Sequence, residues 1–148
     1  DIVKFLNTSE PIWAFMTTSS SRAYDCKVDI IDSIESEMVR FRRFYGYRKV
    51  IISDWVQFLV GNFYYSGGKT QPMSEVYDAM NVSRTEAGTP LDKETLVFAS
   101  PNYTCGIFAV DDLVNGGQAT VYELRVKNSS LEAVNTTDCY TEYNNMTK

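Results

Sequence analysis

The sequence contains no histidine, and that absence excludes more chemistry than any other. Without imidazole there is no Ser-His-Asp or Cys-His activation of a nucleophile and no histidine-ligated zinc. Cysteine is scarce as well: Cys26, Cys105 and Cys139 are too few for a four-thiolate zinc site. No run approaches the ~20 apolar residues of a membrane span. No segment reads as a cleavable signal peptide, which makes this the mature form if the protein is exported. Positive charge is also short, with 14 Lys and Arg against 19 Asp and Glu, so a basic footprint for nucleic acid is missing. Gly67-Gly68 and Gly116-Gly117 lack the strand-to-helix setting of a phosphate cradle and read as turns. Asp111-Asp112 sits at a strand-to-turn junction with no second motif, and turn chemistry explains it better than acid/base catalysis. Together these absences point to a non-enzymatic protein without a cofactor.

Two things are abundant. Aromatic residues make up 14% of the chain, with 2 Trp, 10 Tyr and 8 Phe. Asn-x-Ser/Thr sequons occur at Asn7, Asn81, Asn102, Asn128, Asn135 and Asn145, against roughly two expected by chance from the Asn, Ser and Thr content. Six sequons point to a secreted, extracellular glycoprotein. At 148 residues the chain, 1–148, reads as one domain able to bury a real core.

The pattern along the chain is that of an all-β meander. Residues 1–10 suit a short helix or irregular plug. Strands are expected over 12–18, 26–32, 37–45, 47–53 with 55–61, 74–82, 95–100, 103–110 and 118–127, with a bulge at Arg42-Arg43 and a hairpin turn at Asn115-Gly116-Gly117. The tail from 129 to 148 has room for one short helix. Short strands without βαβ crossovers indicate an antiparallel barrel or sandwich. In the last strand Thr120, Tyr122, Leu124 and Val126 are expected inward, and Val121, Glu123, Arg125 and Lys127 outward. The expected inward set also holds Trp13, Phe15, Phe41, Phe44, Trp55, Phe58, Phe98 and Phe108. So many wide rings favour the wall of an eight-stranded barrel around one small ligand over a sandwich core. Five cations at Arg40, Arg42, Arg43, Arg48 and Lys49 suit a solvated outer face, with a counter-ion for a ligand carboxylate as the sharper alternative.

Cys105 opens the strand Tyr103-Thr104-Cys105-Gly106-Ile107-Phe108, and Cys139 lies in the polar segment beyond the last strand. A bond between them would tie the tail to the outside of a sheet. The alternative is two buried free thiols.

The Trp-containing strand Ile12-Trp13-Ala14-Phe15, Cys26 opening strand two, the Tyr103–Phe108 strand and Asp138-Cys139 stand in an order that resembles the tick salivary lipocalins, the family of histamine- and serotonin-binding proteins. The resemblance implies an eight-stranded antiparallel lipocalin barrel with an N-terminal helix and a C-terminal helix packed outside, and a Cys105–Cys139 bridge. Cys26 lacks the C-terminal partner seen in many members and is left as an odd thiol. Sugar load, size and the expected apolar cavity look most like the Japanin-type immunomodulatory subgroup, which is associated with cholesterol in the barrel and with modulation of host dendritic cells.

On that basis the expected ligand is hydrophobic, a sterol such as cholesterol or a fatty acid, held by Phe41, Trp55, Phe58, Phe98, Phe108, Tyr122 and Leu124 with Asp78 or Tyr122 as polar anchor. The expected partner on the host side is an unidentified immune-cell receptor, and the protein is expected to be a monomer with no membrane span. Two rivals follow from the same residues. An amine scavenger would need at least two carboxylates facing inward, and a surface-recognition protein would have a filled core.

Overall fold

Residues that alternate between apolar and polar at period two extend into strands, and short turns make sequence neighbours pair antiparallel. The computed structural model describes residues 1–19, 26–46, 55–67, 76–114 and 119–148. Eight strands follow one another around a closed barrel: β1 (Ile12–Thr17), β2 (Cys26–Ile34), β3 (Met38–Gly46), β4 (Trp55–Tyr64), β5 (Ala79–Arg84), β6 (Pro90–Ala99), β7 (Cys105–Asp112) and β8 (Val121–Lys127). β8 closes onto β1, with Ile12 opposite Lys127 and Thr17 opposite Glu123. A short helix, α1 (Ile2–Leu6), precedes the barrel, and a 3-10 segment (Asn128–Thr136) and α2 (Asp138–Met146) follow it. The expected antiparallel barrel with a helix at each end is the fold.

Some boundaries differ. β5 starts at Ala79 rather than 74, and β6 reaches back to Pro90, five residues before its expected start. The strand expected at 47–53, the start of the one expected at 74 and the turn at 115–117 lie outside the described residues. β3 carries no bulge at Arg42-Arg43. It stays in register with β2 and β4, because Arg43 points into the barrel and Arg42 out. Register shifts fall instead at Ala14/Met16 in β1, Ile31/Ser33 in β2, Val82/Ser83 where β5 meets β6, and Leu96/Phe98 in β6.

One end of the barrel is plugged. The Asp1 side chain accepts from the Val3 and Lys4 amides at 3.0 and 3.3 Å and starts α1. Its Ile2, Phe5 and Leu6 are buried against Ile12, Val39, Leu59, Phe63, Leu96 and Phe108. The rings of Phe5 and Phe108 meet edge to face, 5.3 Å between centroids. Gly106 makes that approach possible, since a Cβ there would stand 2.8 Å from Leu96 Cδ1 and 3.0 Å from Phe5 Cε2.

The second apolar layer is outside the barrel. The 3-10 segment and α2 lay Val134, Cys139 and Tyr143 over Cys105, Ile107, Leu124 and Val126, and the Cys105–Cys139 disulfide joins the two. The Thr137 hydroxyl accepts from the Tyr140 amide at 3.2 Å and begins α2. This layer reverses the expected faces of β8. Tyr122, Leu124 and Val126 lie outward beneath the helices, and Glu123, Arg125 and Lys127 face the interior, all three buried. Trp13 is likewise outside, its Nε1 donating to Asn128 Oδ1 at 3.0 Å. Phe15 is largely exposed at the β1 bulge, and Phe44 lies on the outer face under the Arg42 guanidinium.

A charged cluster inside the barrel: candidate ligand site

Above the aromatic floor of Phe41 and Phe108 the interior turns ionic. Alternate residues of four strands supply it: Lys27 and Asp29 from β2, Arg43 from β3, Asp92 and Glu94 from β6, Glu123 and Arg125 from β8. They occupy the half of the barrel away from α1, towards the mouth formed by the end of β3, the start of β6 and the end of β7.

The pairs are close. Lys27 Nζ donates to Glu123 Oε1 and Oε2 at 2.8 and 2.6 Å. Arg43 grips Asp29 with two parallel bonds, Nε to Oδ1 at 2.8 Å and Nη2 to Oδ2 at 3.0 Å. Glu94, wholly buried, receives Arg125 Nη1 at 2.6 Å and Arg43 Nη1 at 3.0 Å. Arg125 also reaches Glu123, Nε to Oε1 at 2.9 Å. The two guanidinium groups lie over the floor, 5.4 Å from the Phe41 centroid and 4.2 Å from that of Phe108.

Asp92 is the exception. Its Oδ2 stands 3.8 Å from Arg43 Nη1, and its buried Oδ1 has no hydrogen-bond partner among the described residues. Asp92 and Glu94 face the same nitrogen, Arg43 Nη1, at 3.8 and 3.0 Å. Burial first and the Glu94 charge second push the Asp92 carboxyl well above the usual range, more than Arg43 can offset. Burial would also raise Glu94 and Glu123, but their cations win. Arg125, Arg43 and Lys27 hold Glu94 well below the ordinary range, and Lys27 with Arg125 brings Glu123 to about 2. Burial lowers Lys27 despite Glu123. Tyr45, pushed up to about 12 chiefly by burial, donates to Gln57 Oε1 at 3.0 Å nearer the mouth.

Of the residues expected to line a cavity, only Phe41 and Phe108 are seen together inside. Phe58 points outward and is 59% exposed, beside Asp32, Arg40, Thr85 and Glu86 in a surface groove of about 500 Å3. It pairs with Arg42 across β3–β4, whose other face is taken by Phe41 and Leu59. Phe98, Tyr122 and Leu124 belong to the outer layer under α2. Asp78 precedes β5 near the plugged end and accepts from the Ser66 amide at 2.7 Å, so it holds a turn. Trp55 begins β4 opposite Tyr45, and its side chain lies outside the described residues.

The ionic set was not expected. Its signal is present as charges at period two, Lys27 and Asp29 in β2, Asp92 and Glu94 in β6, Glu123 and Arg125 in β8. That pattern is equally the signature of a solvated face.

Five sequon asparagines, Asn7, Asn102, Asn128, Asn135 and Asn145, are exposed, and Asn81 is half-buried on β5. Cys26 is exposed and free at the start of β2. Among the described residues no group of three His, Cys, Asp or Glu is placed to hold a metal ion, and no helix is long and apolar enough to cross a membrane. No protein-family model and no curated protein matches the chain.

Proposed function

We propose that this protein is a secreted, glycosylated lipocalin that captures a small organic cation, an amine, at the mouth of its barrel. The observation that carries this reading is the buried charge inventory: four carboxylates against three cations, with one oxygen of Asp92 lacking a donor. An ammonium group supplies what that oxygen lacks, and Tyr45 lies close enough to feel the Asp92 charge.

The sterol reading depended on an apolar wall. A sterol entering the mouth would desolvate ionic groups while giving them at most one hydroxyl in return, which is unfavourable. The amine alternative needs two or more inward carboxylates, and Asp29, Asp92, Glu94 and Glu123 supply the positions. Export and sugar attachment are supported by the disulfide and the five exposed sequons. A second reading, recognition of a host surface by the barrel's exterior, is favoured by the packed lower core and the exposed Phe58 groove. The effect on immune cells would belong to that exterior.

Isothermal calorimetry with phenethylamine, serotonin and histamine, beside native mass spectrometry of the purified protein for a co-purifying sterol or fatty acid, separates these readings. The expected result is amine binding that falls at least tenfold in Asp92→Asn. A retained sterol with no amine binding would overturn the proposal, and inertness to both would leave surface recognition.

A further inference from the structure

We infer that the barrel mouth exchanges one proton for one singly charged ammonium at the Asp92–Glu94 pair, so that its interior is neutral both empty and occupied. This deepens the proposed function and rests on the reading of the interior as a cation site.

The argument begins with charge counting. Lys27, Arg43 and Arg125 balance three of the four carboxylates among the described residues of the cluster. The fourth negative charge would be buried and unpaired, which costs far more than a surface charge. Lys127 does not cancel it. Its ammonium lies over the Phe5 ring, 5.1 Å from the centroid, and Phe5 meets edge to face the Phe108 ring that carries Arg125. The acid that acts on it is Glu10, at the plugged end.

The geometry picks out where the surplus resides. Glu94 and Glu123 each receive two cations, and Asp29 receives a bidentate arginine. Among the described residues two buried carboxylate oxygens of the cluster lack a hydrogen bond, Glu94 Oε2 and Asp92 Oδ1, but the first has Arg43 Nη1 at 3.0 Å, whereas the nearest ion-pair contact of Asp92, from its other oxygen to the same nitrogen, is 3.8 Å. A proton on Asp92 neutralises the empty barrel. When R–NH3+ arrives, the Asp92 O–H bond breaks, the proton passes to buffer, and the carboxylate accepts N–H bonds from the ligand. Four carboxylates then face four cations.

β2 presents Lys27 and Asp29, β3 presents Arg43 and Tyr45, β6 Glu94, and β8 Glu123 and Arg125. β4 offers Gln57 and β5 Val82, both without charge. Asp112 of β7 stands opposite Asp92 at the rim, where its Oδ1 accepts from the Val114 amide at 2.7 Å. It adds a second acidic residue beside Asp92, at the same level of the barrel.

Two consequences distinguish this from simple ion pairing. Binding must release a proton when Asp92 starts protonated, so affinity rises with pH until Asp92 is ionised in the empty protein and then levels. A dication would leave one positive charge in excess, so a diamine of the same size binds less well than a monoamine.

The test is calorimetry with phenethylamine, a monocation throughout about pH 5 to 8, in two buffers of different protonation enthalpy. The expected release approaches one proton per ligand at the acidic end, with affinity climbing by up to about tenfold per pH unit. Para-bis(aminomethyl)benzene, a dication, is expected to bind at least tenfold more weakly. In Asp92→Asn, shown folded by circular dichroism, both the proton release and most of the affinity are expected to vanish. Phenethylamine binding without proton release at any pH in that window would overturn the exchange, as would equal affinity for the dication. These wild-type readouts decide the matter even if the variant misfolds. Failure of every amine to bind at any pH is a different result, since it removes the cation-site reading itself and the exchange with it.

Discussion

Lys27 and Glu123 join strands that are not neighbours. β1 lies between β2 and β8, yet Lys27 Nζ reaches both oxygens of Glu123 at 2.8 and 2.6 Å across the interior. The contact therefore ties together the two strands that flank the closing seam.

Breaking that tie from one side should be expensive. In Glu123→Gln the Lys27 ammonium and part of Arg125 lose their counter-charge in a dry site, and the expected loss is about 3 to 5 kcal/mol. The double variant Lys27→Met with Glu123→Leu removes both charges and is expected to recover much of it. Urea unfolding of the three proteins checks this. A double variant no more stable than Glu123→Gln would contradict it.

Acid should act on Glu123 and Asp92 in opposite senses. Glu123 is depressed to about 2, below its unfolded value, so its contribution is complete above about pH 4.5 and is lost as pH falls towards 2. That limb is worth about 3 kcal/mol and should flatten in Glu123→Gln. Asp92 is raised, so its protonated form favours the fold at low pH and the advantage is lost as pH rises through its folded value. Asp92→Asn, permanently neutral, should match the wild type near pH 3 and melt higher at pH 7. Melting curves at the two pH values decide it, and a lower melting point for Asp92→Asn at pH 7 would show that the carboxylate is not the surplus charge.

The sequence made the strands legible but not the faces of β8. Both Tyr122-Leu124-Val126 and Glu123-Arg125-Lys127 obey period two, and the usual antiparallel sheet puts its apolar face inside. Here the 3-10 segment and α2 supply an apolar cover outside, so Leu124 is buried by going out and Glu123 by going in. The same reversal hid Arg43, whose inward direction looked like a break in alternation. Pairing partners for a buried ion set come from β2, β3, β6 and β8, and no local window contains them. The Cys105–Cys139 bridge was an expectation with two free thiols as its alternative, and the bond is formed.

The bridge itself should matter mainly to the outer layer. Replacing Cys105 and Cys139 by Ala opens a loop closed over a separation of 34 residues and is expected to cost about 3 to 4 kcal/mol. Limited proteolysis should then cut within 137–148 while the barrel stays intact. Cleavage inside β2 to β6 at the same protease dose would mean that the bridge holds the barrel and not just its cover.

Two phenylalanines offer a direct contrast. Phe5→Ala empties a fully buried site against Phe108 and Leu96 and is expected to destabilise by about 3 to 5 kcal/mol. Phe58→Ala, on the outer wall, should stay within about 0.5 kcal/mol of wild type and leave amine affinity unchanged. A large loss of amine affinity in Phe58→Ala would return that ring to the ligand site.

The two unlike faces of β8 carry a consequence for how the barrel finds its closure. A one-residue slip against β1 or β7 would send Glu123 and Arg125 under α2 and push Leu124 and Val126 among the carboxylates. Each mistake is penalised on both surfaces at once, by stranded charge on one and lost apolar contact on the other. A strand with water on one side enforces its alignment from a single surface. In this chain the final seam is proofread from within and from without, and misaligned closures are poor competitors of the native one.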